Sequence, residues 1–133
     1  MITISKDKSE LQIAVIHQYL TESYWGKGRS IAAVQKTIDH CLCYGVYLEE
    51  GKQIGFARIA TDYTVFAYLM DVFILPEFQG KGYSKQLMQT LINDADLETC
   101  TVWMLKTSDA HGLYEQFGFT ELKNPTKVME RLL

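Results

Sequence analysis

Two glycines flank a lysine in Gln79-Gly80-Lys81-Gly82-Tyr83-Ser84, where an apolar run (Val72, Phe73, Ile74, Leu75) has stopped at Pro76 and helix-forming residues 85–92 begin. A strand that feeds a glycine turn and then a helix start gathers free backbone N–H groups. The first turn of a helix has unpaired donors, and its macrodipole adds positive potential. That arrangement binds phosphate. Glycines at 80 and 82 remove the Cβ atoms that would hold an anion away and permit positive φ. Lys81 adds a mobile positive charge. The stretch is not a G-x-x-x-x-G-K-[ST] loop, and it lacks the third glycine of the dinucleotide fingerprint G-x-G-x-x-G. The ordinary alternative is a glycine turn into a helix.

The elements that must position this loop follow from periodicity. Residues 2–5 alternate as a short strand. Residues 8–22 carry Leu11, Val15, Ile16, Tyr19 and Leu20 near helical spacing, with Asp7 or Ser9 as caps. A loop, Ser23-Tyr24-Trp25-Gly26-Lys27-Gly28-Arg29-Ser30, follows. Its aromatics and basic residues suit either a wall on the substrate side or plain packing of Trp25. Ser30 caps a second helix over 31–41. Strands follow at 44–49 and 53–60 around a tight turn at 50–52. Gly55 signals a bulge or a close backbone approach. A turn at 62–64 leads into a long strand at 65–75, apolar enough for burial on both faces. After the helix at 85–92, residues 93–99 are polar. A strand at 100–107, a short helix at 110–117 capped by Ser108 or Asp109, and Gly118 as its C-terminal glycine come next. Two last strands, 119–122 and 127–132, turn at Asn124-Pro125. The order β α α β β β α β α β β predicts an α/β (α+β) fold: a mixed, mostly antiparallel central sheet with helices on both faces.

The chain has 133 residues, which suits one domain over 1–133 and a real core. A net charge of −3 argues against general nucleic-acid binding and suits a cationic or amine substrate only weakly. No apolar run reaches the ~20 residues of a membrane span, and no signal-peptide core follows Met1. The expected location is cytoplasmic. Cys41, Cys43 and Cys100 lack metal spacing and read as small buried residues; no metal is expected.

The loop resembles the acyl-CoA loop [QR]-x-x-G-x-[GA] of the GCN5-related N-acetyltransferases (GNAT). Gln79, Gly82 and Ser84 take its places, with Ser84 a departure from Gly or Ala. Leu113-Tyr114-Glu115-Gln116-Phe117-Gly118-Phe119 resembles the family's second signature, and Asp109 stands near its usual Asn. The small size and the Tyr24, Trp25, Arg29 segment resemble a compact bacterial-type subgroup. The resemblance covers essentially the whole chain and implies an N-acetyltransferase that uses acetyl-CoA on a primary amine, in a ternary complex. The coenzyme would lie where strands 65–75 and 100–107 splay. Its pantetheine would pair with Val72, Phe73 and Ile74, and its diphosphate would rest on Gln79, Gly80, Lys81, Gly82, Tyr83 and Ser84. Asp109, Tyr114 and Phe117 would also face it.

In that family a tyrosine protonates the departing thiolate, and Tyr114 matches the position; its other reading is a core aromatic. A carboxylate in an apolar strand is costly unless paired or functional. Asp71 is therefore the first candidate for the base, through a water, or else a strand-edge acid bonded to backbone. The strand glutamate that family members often carry is replaced here by Leu105. His111 is the runner-up; His17 and His40 read as surface or packing residues. Arg58 and Asp62, with Glu22 and the Tyr24–Arg29 loop, are candidates for the acceptor side. Acids there would hold a cationic amine, and Arg29 or Arg58 a carboxylate. The acceptor is a small-molecule or peptide amine, and a homodimer through C-terminal strand edges is compatible with the pattern. The rivals are a non-catalytic acyl-CoA sensor and a nucleotide-phosphate protein.

Overall fold

A computed structural model describes residues 1–133. Five strands, β1 (Ile2–Ser5), β2 (Leu42–Leu48), β3 (Gln53–Thr61), β4 (Phe66–Ile74) and β5 (Val102–Met104), form one sheet in sequential order. All neighbours are antiparallel except β4 and β5. That parallel pair requires a crossover, supplied by α3 (Tyr83–Ile92). Helices α1 (Ile13–Glu22) and α2 (Ile31–His40) cover one face, burying Ile16, Leu20, Val34 and Ile38 against Cys43, Phe56 and Phe73. On the other face α3 and α4 (His111–Glu115) bury Leu87, Met88, Leu91 and Tyr114 against Tyr44, Val46, Ile59 and Leu69. No helix is long and apolar enough to cross a membrane.

The helix expected over 8–22 is interrupted. Asp7 caps a 3-10 turn at Lys8–Glu10. Gln12 is then held extended by tertiary bonds: its N–H donates to Gln53 Oε1 (2.7 Å), and its Nε2 donates to the Gly51 carbonyl (2.8 Å). Helix α1 can start only after it. Ser30 caps α2 as expected, accepting from the Ala33 N–H. The short helix, in contrast, takes no side-chain cap from Ser108 or Asp109; Thr107 Oγ1 instead accepts from the Ala110 N–H at 3.0 Å. The strand expected over 100–107 shrinks to Val102–Met104. Residues 119–122 and 127–132 form no strand at all; only a 3-10 turn, Pro125–Lys127, is regular there. They have no strand to pair with, because β5 offers only three paired residues.

The expectation of a strand buried on both faces also fails for β4. Its residues alternate, with Tyr68, Met70 and Val72 half-exposed. A β-bulge explains the rest. Arg58 pairs with Met70 and Phe56 with Phe73, so two steps on β3 oppose three on β4. The extra residue reverses the facing of the side chains: Leu69 points to α3, whereas Phe73 points to α1 and α2. Asp71 sits in this bulge with φ 54°. Past the bulge Gly55 pairs with Ile74; a Cβ there would come 2.6 Å from Ile74 Cδ1, the close approach its position in the strand suggested.

One polar contact ties the sheet to the turn after α3. The fully buried Tyr44 donates its hydroxyl to Asp94 Oδ2 at 2.7 Å, and Lys6 reaches the same carboxylate at 2.9 Å. Burial pushes the Asp94 carboxyl up, but the bonds from Tyr44, the Asp96 N–H and Lys6 outweigh it and hold it below the usual range. Its contribution is therefore present above the unfolded carboxyl pKa, near 3.8, and is lost as pH falls through the lower folded value. Asp94→Ala, which strands the Tyr44 hydroxyl, should cost about 1–3 kcal/mol. Urea unfolding at pH 7 and pH 3 checks both statements, the deficit shrinking at the lower pH.

Candidate active site

β4 and β5 pair over only Phe66–Tyr68 and Val102–Met104. Past that point β4 runs on to Ile74, while the chain after Met104 leaves it. The splay opens a cleft of about 460 Å³. Its walls come from the loop between α1 and α2 (Tyr24, Trp25, Arg29), from Arg58 on β3, from β4 around the bulge, and from Leu105 through Ala110 with Tyr114.

The bulge places Asp71 at the cleft floor, 5% exposed. Its Oδ1 accepts from Trp25 Nε1 at 3.0 Å. Its Oδ2 accepts from Arg29 Nη1 at 2.8 Å and from Arg58 Nε at 2.9 Å. Asp71 is therefore bonded to three side chains from two elements, the loop between α1 and α2 and strand β3, not to the backbone. Burial works against the Arg58 guanidinium, but Asp71 and Cys41 beside it prevail, and its pKa is raised. The expectation that Asp71 is the base meets a physical objection. Both its oxygens are already accepting, from Trp25, Arg29 and Arg58, which together occupy the carboxylate.

Tyr114 projects from α4 into the splay and is 9% exposed. Its hydroxyl bonds to no protein group yet is not sealed from solvent; the only buried side-chain polar atom without a partner is Tyr47 Oη. Burial pushes its phenol up to about 12, with Asp109 and Tyr24 adding to the effect. Asp109 stands on the same lip, exposed, its carboxylate free of protein partners. Across the mouth, Ser108 Oγ donates to Tyr24 Oη at 2.7 Å. Tyr24 in turn meets the Trp25 ring edge-on at 5.1 Å. These contacts join the two loops that frame the cleft.

Beyond β4, Gly80 and Gly82 take φ 80° and 82°. Gly82 is the N-cap of α3 and supplies no side chain to the first turn. The N–H groups of Gly80, Lys81, Gly82, Tyr83 and Ser84 donate to no acceptor in the chain. Gln79 anchors the loop by donating from Nε2 to the Ile74 carbonyl at 2.8 Å. Immediately after β4, the Leu75 N–H donates to the Ile54 carbonyl on β3. Strand alternation then turns the Val72 and Ile74 N–H groups toward the splay. Donors suited to a diphosphate and a strand edge suited to an extended amide chain are thus contiguous, so the residues present fit an acyl-coenzyme A.

The structure gathers Tyr24, Trp25, Arg29, Arg58, Asp71, Val72, Asp109 and Tyr114 into one cleft. Asp62 is not there. It caps the turn before β4, accepting from the N–H groups of Thr64, Val65 and Phe66; those bonds hold its carboxyl below the usual range. Glu22 ends α1 and does not line the cleft. His111 is exposed and opens onto a second cavity, with Glu115 and Thr120, on the other side of the Leu105 segment. Phe117 packs on the core by the third cavity. The Phe73 side chain stacks on Tyr19 at 4.1 Å, on the sheet face away from α3. Tyr68, Met70 and Lys106 line the cleft unforeseen.

Residues 39–121 match the family model described as an acetyltransferase (GNAT) domain. A solved structure from Xanthomonas campestris pv. campestris, described as belonging to the GNAT family, superposes with a TM-score of 0.96 over 100% of this chain and 94% of its own, at 46% identity. A Gibberella zeae protein that carries an acetyltransferase name is 30% identical over 111 residues, 69% of this chain and 62% of its own length. GCN5-related N-acetyltransferase 1, chloroplastic, of Arabidopsis thaliana is 28% identical over 104 residues, 76% of this chain and 53% of its own length. The chain thus spans little more than half the length of these two relatives.

Proposed function

The chain belongs to the GCN5-related N-acetyltransferase family, and from that premise we propose that it moves acetyl from acetyl-CoA to a primary amine by direct attack in a ternary complex. The observation that carries this reading is the unbonded Tyr114 hydroxyl in the splay beside a strand whose following loop holds five free amides. Acetyl-CoA, when bound, supplies the activated thioester. The N–H groups of Gly80 to Ser84 hold its diphosphate, Val72 and Ile74 pair with its pantetheine arm, and a β4 N–H donates to the thioester oxygen as negative charge develops there.

An amine with a pKa near ~10 must lose a proton before it attacks. Asp109, free at the cleft lip, receives that proton through water. Asp71 keeps the loop and β3 in place as a positioning residue. Tyr114 gives its proton to the departing sulfur. Its raised pKa keeps the phenol in the acid form at neutral pH.

Amine-dependent release of free thiol from acetyl-CoA tests the proposal. Thiol release with at least one amine of a broad panel, with an N-acetyl product of matching mass, is the expected result. Coenzyme binding without turnover over the whole panel favours the sensor reading. Gly82→Val probes the loop: a β-branched residue resists φ 82°, and its side chain enters the space the diphosphate occupies. The KM for acetyl-CoA should rise about tenfold or more, equivalent to ~1.4 kcal/mol, with kcat largely retained.

A further inference from the structure

We propose that the acceptor amine also carries a carboxylate, which Arg29 and Arg58 bind at the cleft floor; this rests on the acetyltransferase reading above. Five ionisable side chains other than tyrosine line the cleft: Arg29, Arg58, Lys106, Asp71 and Asp109. Lys106 is matched outside it by Glu130 at 2.5 Å, and Asp109 stands exposed at the lip. That leaves two guanidiniums and one carboxylate at the floor, and both arginines share the same atom, Asp71 Oδ2. The side chains of Asp71 and Arg58 are 2% and 9% exposed. A buried excess charge is costly unless something pairs with it.

Donor accounting points the same way. An arginine has five N–H donors. Arg29 commits Nη1 to Asp71, and its side chain, 23% exposed, opens on the cleft. Arg58 spends its outer nitrogens on sulfur, Nη1 on Cys41 Sγ at 3.3 Å and Nη2 on Met70 Sδ at 3.6 Å, and sulfur is a weak acceptor. A single carboxylate would balance the charge and suits the planar fork. A polycation or an unsubstituted alkylamine finds no free acid at the floor, since Asp71 is engaged. The cleft volume suits a small ligand, so the class is an amino acid or another small amino carboxylate.

The test titrates the protein saturated with coenzyme A, read by thermal shift. The probes are the standard amino acids, β-alanine and γ-aminobutyrate, each against its carboxamide. At least one acid should bind roughly 10- to 100-fold more tightly than its amide, the range for a charged hydrogen bond. Arg29→Gln should abolish that preference while keeping the shift produced by coenzyme A alone. Arg29→Lys, which keeps the charge and loses the fork, should retain part of it, and it serves if the Gln variant does not fold. Binding of amides as tight as that of acids, or no binding of any acid, overturns the proposal. Thiol release separates the two readings. Acids that bind selectively without thiol release leave the carboxylate site standing and remove acetyl transfer. Carboxamides acetylated as fast as acids do the reverse.

Discussion

Asp71→Asn should lower the unfolding free energy by about 3–5 kcal/mol, the cost of removing one partner from a buried ion pair. Asparagine tolerates a left-handed backbone, so the bulge at φ 54° is not what the substitution disturbs. What it removes is the negative charge that Arg29, Arg58 and Trp25 converge on. Two guanidiniums then face each other across a neutral amide. The loss is a large share of the ~5–15 kcal/mol that a domain has in total, and a fall of well over ten degrees in Tm follows for a chain of this size. The double variant Asp71→Asn with Arg58→Met should recover part of it, because it removes the most deeply buried of the stranded charges. Guanidinium unfolding with unchanged m-values checks both. A single variant within 1 kcal/mol of the parent would show that the cluster is not structurally coupled to the fold. The same variant should also loosen the 23–30 loop, whose Trp25 and Arg29 have no other side-chain partner for these nitrogens.

Tyr114→Phe should lower kcat by roughly 10²-fold, the range for loss of a general acid, with little change in the KM for acetyl-CoA. The fold should survive, since the hydroxyl bonds to nothing in the protein and the ring stays in its contacts, including the edge-on packing with Phe119 at 6.0 Å. The pH profile is the sharper test. The phenol is pushed from 10 to about 12, chiefly by burial, so the acid form persists well into the alkaline range. Wild-type kcat should rise as the amine becomes neutral and should not decline before pH 10. The variant should follow the same rise from a lower level. Equal rates for the two proteins would take the proton-donor role from Tyr114.

Much of this arrangement is legible in the residues themselves. Alternation gave the meander, helical spacing gave α2 and α3, and the two glycines announced the loop. Each of these is a local signal, set by neighbours a few positions apart. The bulge is not local. Val72, Phe73 and Ile74 are all apolar, so a one-residue slip leaves no mark in the pattern, and the facing of Asp71 could not be read. Its partners Trp25 and Arg29 lie far back in the chain, so the bonds that engage the carboxylate could not be read either. The tail after Gly118 failed for the opposite reason. Phe119 to Leu122 and Lys127 to Leu132 read as strands around the Asn124-Pro125 turn, but strand pairing needs an edge to pair with, and β5 is too short to offer one.

The most direct test of the central claim is a crystal structure of the protein with coenzyme A. The account predicts the diphosphate on the N–H groups of Gly80 to Ser84, the pantetheine alongside Val72 and Ile74, and the sulfur within hydrogen-bonding reach of the Tyr114 hydroxyl. A coenzyme seated elsewhere, or a sulfur on the far side of the Leu105 segment from that hydroxyl, would contradict it.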